Sequence, residues 1–197
     1  EVLSVKVSTI YSQISAISRR RAVDVLCDRM ELLYRAAGRA TFVRQDGTEV
    51  AKFVYLDMEE YRDLSITVEV FMKTLERPGL QGVSAGIALQ AYLPDSAAAL
   101  REITEWAQRR VAAGGAPVTV RVVKGANMEM ERVEASLMGW PQAPYNEKAD
   151  TDANYKRMVT FALQPDHTEA VKIGLASHNL FDISYGLVLA VERNVLE

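Results

Sequence analysis

Cysteine is almost missing from this 197-residue chain. Cys27 stands alone, so neither a disulfide framework nor a cysteine-based zinc cluster can form. Histidine is nearly as scarce, with His167 and His178 only. No apolar run approaches the ~20 residues of a membrane span, and no signal peptide is visible. An excess of positive charge is missing too: 23 Lys and Arg stand against 26 Asp and Glu, which leaves no electrostatic footprint for a nucleic acid. No strand-like run is followed by a G-x-G-x-x-G turn, which argues against a nucleotide-binding doubly wound sheet. No linker or low-complexity segment interrupts the chain, so one domain is expected over residues 1–197. Cys27 falls in a helical pattern with Val25, Leu26 and Met30 and reads as a packed core thiol. A reducing, cytoplasmic setting is consistent with all of this.

What is present is alternation. Strand-like runs at 2–8, 52–58, 84–94, 117–125 and 171–179 are interleaved with helix-like runs at 17–37, 59–75, 97–112, 128–138, 150–163 and 180–193. The segment 44–48, RQDGT, reads as a turn, and 139–145, GWPQAPY, as a proline-rich loop. Asp95 and Ser96 are expected to cap the helix they precede, and Gly114-Gly115 to stop it. Nearly continuous apolar strands alternating with helices indicate a parallel sheet covered by helices. The expected fold class is α/β, of the (β/α)8 barrel type. Such barrels run to about 250 residues, so five of the eight strand–helix units are expected here. The chain opens at Glu1 inside a strand-like run, and both ends read as cut.

Active sites of such barrels lie at the carboxyl ends of the strands. Polar residues recur there: Lys6, Asp57 with Met58, Gln90, then Arg121, Lys124 and Gly125, then Ser177 with His178. Each has a structural reading beside the functional one. Lys6 or Arg121 could pair with Asp57, Gln90 could satisfy backbone groups, and His178 could simply end a strand. Glu59, Glu60, Arg62 and Asp63 are expected to cap and solvate the next helix, His167 to sit at the surface, and Trp140 and Tyr145 to anchor their loop. Arg121 is the pointed case, a charge inside the apolar run VTVRVV. Its planar fork suits a flat anion or heteroaromatic ring, Lys124 adds a point charge, and Gly125 lets a ligand approach the backbone. A ring that gains negative charge on reduction, as a flavin does, suits such a wall.

Five motifs in order, SVKVSTIYSQ, FVYLDMEEYRD, GIALQAYLPDS, RVVKGANMEMERVEA and LASHN, closely resemble the proline dehydrogenase barrel of bacterial proline utilization A flavoenzymes. The resemblance runs over essentially the whole chain. It implies non-covalent FAD, oxidation of L-proline to Δ1-pyrroline-5-carboxylate by hydride transfer to the flavin N5, electron delivery to a membrane quinone, and in many members an aldehyde dehydrogenase domain on the same chain. By position, Lys6 matches a substrate-side lysine and Asp57 its acidic partner. Arg121 matches the arginine near the reactive flavin edge. Met58, Gln90, Lys124, Gly125, Ala126, Ser177 and His178 match flavin contacts. Asn127-Met128 departs from the aromatic pair of many members and leaves the packing around the substrate open. The resemblance also implies that the family's first strand, last two strands and carboxylate-clamping arginine pair lie outside residues 1–197. Two other readings stand beside it: a Schiff-base barrel using Lys6 or Lys124, and an inactive barrel piece serving as a scaffold, which predicts no flavin.

Overall fold

The computed structural model describes residues 2–14, 17–125 and 127–196. In chain order its elements are β1 (Val2–Lys6), α1 (Val7–Ile10), α2 (Arg19–Gly38), β2 (Thr41–Val43), β3 (Glu49–Ala51), β4 (Phe53–Asp57), a 3-10 turn (Tyr61–Asp63) and α3 (Leu64–Leu75). There follow β5 (Gly86–Gln90), α4 (Ser96–Ala112), β6 (Val118–Val123), α5 (Met128–Met138), α6 (Lys148–Ala162), α7 (Pro165–Thr168), β7 (Val171–Ala176) and α8 (Leu180–Glu192).

Five strands form one parallel sheet in the order β1-β4-β5-β6-β7. Each strand lies beside its successor in the chain, as in a barrel wall; a doubly wound sheet would reverse its order part-way. Alternation decides which side chains meet the helices. On β4, Val54 and Leu56 are buried while Phe53, Tyr55 and Asp57 stay half-buried; on β6, Val118, Val120 and Val122 are buried while Thr119, Arg121 and Val123 are not. The buried set joins Leu26, Met30 and Tyr34 of α2, Phe71 and Leu75 of α3, Leu100 and Ile103 of α4 and Met158 and Val159 of α6 in one core. Cys27 lies in that core, as expected, and burial pushes its thiol up.

Several elements differ from expectation. The 2–8 run turns helical at Val7, and the 84–94 run is a strand only from Gly86 to Gln90. Even so, Ala91 N and Tyr92 N still donate to the carbonyls of Val123 and Lys124, so pairing continues into the loop. The RQDGT turn is the tip of a small antiparallel hairpin, β2–β3, whose strands were too short to show a period. Neither Asp63 nor Asp95 makes a side-chain cap: Asp63 is buried, and Asp95 accepts from the Tyr61 hydroxyl at 2.8 Å. His167, expected at the surface, is half-buried. Its ring packs 4.3 Å from that of Phe161, with Nδ1 2.7 Å from the Phe161 carbonyl oxygen.

Both edges of the main sheet are open among the described residues, since β1 and β7 each pair on one side only. Val2 and Leu3 on β1 are exposed, as are Leu180, Phe181, Val188 and Val191 on α8. This is the open wall expected of an incomplete barrel. No described helix is long and apolar enough to cross a membrane.

Candidate functional site

The strand registers put one row of residues across the whole sheet: Lys6, Asp57, Ala88, Arg121 and Gly174 are successive partners. A parallel sheet points such a row to one face. The two smallest members sit beside Arg121. Across Ala88, the Arg121 guanidinium reaches Asp57, Nη2 to Oδ1 2.6 Å, and lies 5.0 Å from the Tyr55 ring centre. At Gly174 a β-carbon would stand 3.5 Å from the Arg121 backbone and stem. The half-buried arginine is therefore paired and lies over small neighbours, which answers the sterics of a charge in an apolar strand.

The row opens into a cleft of about 750 Å³ at the carboxyl ends of the strands. Lys6, Asp57, Met58, Gln90, Arg121, Lys124, Gly125, Ser177 and His178 all line it, so the structure brings together every described residue that the resemblance assigns to the site. Ala126 lies outside the described residues.

The pairing differs from expectation in one respect. Lys6 does not hold Asp57, its register neighbour. Its ammonium goes to Glu59 Oε1 at 2.5 Å, while the Ser8 hydroxyl donates to Glu59 Oε2 at 3.0 Å. Those contacts, Lys6 first, hold the Glu59 carboxyl below its ordinary range. Glu59, expected to solvate a helix, is thus a cleft residue. Asp57 is engaged by Arg121.

The segment carrying Met58 and Glu59 is pinned from two neighbouring elements. Gln90 Nε2 donates to the Met58 carbonyl at 3.1 Å, and Asn127 Nδ2 to the Glu59 carbonyl at 3.0 Å. From α5, Glu131 accepts the Tyr61 amide at 2.5 Å. Gln90 does satisfy backbone groups, yet only with its nitrogen. Its Oε1 is buried without a partner, and so is Arg121 Nε. One orphan acceptor and one orphan donor therefore belong to residues that line the cleft.

The far side is built on Lys124. Its ammonium is shared by Asp152 on α6 and Asp182 on α8, the latter at 2.6 Å, and lies 5.6 Å from the Tyr155 ring centre. Burial works against the charge, but the two carboxylates override it and hold the ammonium's pKa above its usual value. Lys148 also binds Asp152. Ser177 donates to Asp182 at 3.0 Å and accepts the Asn179 amide, and Asn179 caps α8 by accepting from the Phe181 amide. Gly125 adopts φ +149°, and a β-carbon there would fall 1.6 Å from a Tyr92 ring carbon. Only glycine fits. Asp152 and Asp182 escaped the sequence reading because each sits in a helix among other charges, where a solvated role is the default.

Fold and site together define a barrel-type α/β protein whose strand ends line a cleft of paired charges. The chain belongs to the proline dehydrogenase family, whose model matches residues 2–197. Among solved structures it is similar to proline utilization A from Corynebacterium freiburgense, at 43% identity and TM-score 0.88 over 98% of this chain. It is also similar to that from Bdellovibrio bacteriovorus inactivated by N-propargylglycine, at 34% identity and TM-score 0.85, again over 98%. A Bradyrhizobium japonicum proline utilization A mutant follows at 27% identity and TM-score 0.80 over 96%. The chain spans only 19%, 19% and 18% of those three chains. A search of curated proteins found no match.

Proposed function

We propose that these residues form the flavin-holding wall of one proline dehydrogenase barrel domain, within a protein that oxidises L-proline to Δ1-pyrroline-5-carboxylate. The observation that carries this is the convergence of Lys6, Asp57, Gln90, Arg121, Lys124 and Ser177-His178 on one cleft, from five strand ends, in a chain of this family.

The donor set fits FAD. Gln90 Oε1 is a buried acceptor without a partner and Arg121 Nε a buried donor without one. The isoalloxazine edge carries the matching N–H and carbonyl groups. Met58, Gln90, Arg121, Lys124, Gly125, Ala126, Ser177 and His178 would hold it. When bound, FAD supplies the acceptor for the hydride that leaves the ring carbon next to the proline nitrogen.

The chain's own residues do the rest. Arg121 presents a permanent cation to the ring edge, and Asp57 fixes its orientation by the 2.6 Å bond. Lys6 offers substrate-side charge, steadied by Glu59 and not by Asp57. Gln90 and Asn127 keep the Met58–Glu59 backbone from moving into the cleft. Quinone as the electron acceptor, an aldehyde dehydrogenase domain elsewhere on the chain, and a cytoplasmic location peripheral to the inner membrane belong to the same proposal.

Anaerobic titration of the full-length protein with L-proline tests it by following the long-wavelength flavin band. Bleaching is expected. Purified protein that holds no flavin, even after FAD is added, overturns the reading and leaves the inactive scaffold.

A further inference from the structure

Asp182 differs from the other carboxylates of the cleft. Glu59, Asp57 and Asp152 keep 25%, 21% and 29% of their side-chain surface in water, whereas Asp182 keeps 3%. A sealed carboxylate is costly unless charge and hydrogen bonds hold it. Asp182 receives both, from two different strand ends: the Lys124 ammonium beyond β6 at 2.6 Å and the Ser177 hydroxyl beyond β7 at 3.0 Å. It sits in the first turn of the 13-residue helix α8, where the helix dipole also favours an anion.

The wider charge pattern is balanced. Lys6, Arg121, Lys124 and Lys148 are matched by Glu59, Asp57, Asp152 and Asp182 through direct ion pairs. An anion reaching the far wall meets a lysine already shared by two carboxylates.

We propose that Asp182 is a positioning residue that acts through Lys124: it fixes the ammonium and the Ser177 hydroxyl against the cleft wall, and its charge sets how strongly that wall favours negative charge on the ligand. This rests on the flavin reading above. Asp182 touches neither substrate nor reacting atoms; it tunes the residue that faces them.

The test uses the full-length protein, with flavin content measured first. Asp182→Asn keeps an oxygen for Lys124 and Ser177 but removes the charge. The affinity of the bound flavin for bisulfite, an anion that adds to the ring and bleaches its visible band, is expected to rise on the order of tenfold. That is the field of one unit charge about 10 Å away at an effective dielectric near 20. In a Lys124→Met background the route through the ammonium is cut, so Asp182→Asn then changes bisulfite affinity little. Unchanged affinity in the single variant, or an equal rise in both backgrounds, overturns the proposal. Should Asp182→Asn fail to fold, Asp152→Asn shares the same ammonium from a more exposed position; a rise supports the proposal and none overturns it. Wild-type protein without flavin sinks the functional reading and the ligand half of this inference with it, and leaves the hold of Asp182 on Lys124 to be read directly. The Lys124 pKa, followed by NMR of 13C-methylated lysines, must still fall in Asp182→Asn, and an unmoved titration overturns the inference.

Discussion

The two faces of the sheet are made by the same strands and obey different rules. Toward the helices, Val54, Leu56, Ile87, Leu89, Val118, Val120 and Val122 are almost fully buried and purely apolar. Toward the cleft, one level carries Lys6, Asp57 and Arg121, with Ala88 between the last two and Gly174 beyond Arg121. The helix-facing side tolerates any well-packed apolar set of the right volume. The cleft side depends on which residue stands opposite which, because Arg121 reaches Asp57 only across a residue as small as Ala88. The apolar core is therefore concentrated on one face and the paired charges on the other.

Substitutions can separate the two. Arg121→Met should have the largest effect, lowering proline turnover by the full-length protein about hundredfold or more, with little loss of helical signal. Turnover within tenfold of wild type would remove Arg121 from its proposed role. Leu56→Ala, on the opposite face of the strand next to Asp57, should cost about 2–5 kcal/mol in urea unfolding while leaving KM for proline near wild type at temperatures where the variant is folded. A KM change as large as that of Arg121→Met would show that the faces are not separable.

Gly125→Ala should cost about 1–3 kcal/mol, because φ +149° is strained for alanine and the methyl meets Tyr92. Gly174→Ala meets its neighbours at ordinary contact and should stay within about 0.5 kcal/mol. Equal losses at the two glycines would contradict the close approach seen at Gly125.

The cleft also carries a pH effect. Glu59 is held below its ordinary 4.5 by the Lys6 bond first, then by Ser8. Its contribution to folding is present above about pH 4.5 and is lost as pH falls through the lowered folded value. Urea midpoints at pH 7 and pH 4 should diverge less in Glu59→Gln than in wild type. The same divergence in both would remove Glu59 from the acid response.

Much of this was legible in the sequence because period-2 and period-3.6 patterns are long and redundant. Five strands and their flanking helices were readable, and an arginine inside VTVRVV marked the cleft face of β6. Partner choice was not legible. Lys6 and Asp57 are neighbours in register, and only geometry shows that Lys6 turns to Glu59, two residues further on. Asp152 and Asp182 come from helices more than twenty residues beyond Lys124, and no local pattern distinguishes them from solvated helix charges. The hairpin β2–β3 is made of three-residue strands, too short for alternation to register.

The shared row from Lys6 to Gly174 also limits how this protein can change length. Removing a single residue from β6 ahead of Arg121 would swing the guanidinium into the helical layer and push valines into the cleft, a swap of both faces at once. Within the strands, only paired deletions conserve the arrangement. Insertions and losses are confined to the connections, of which the β2–β3 hairpin, at the amino end of β4 and so opposite the cleft, is the freest site to grow, shrink or carry a tag.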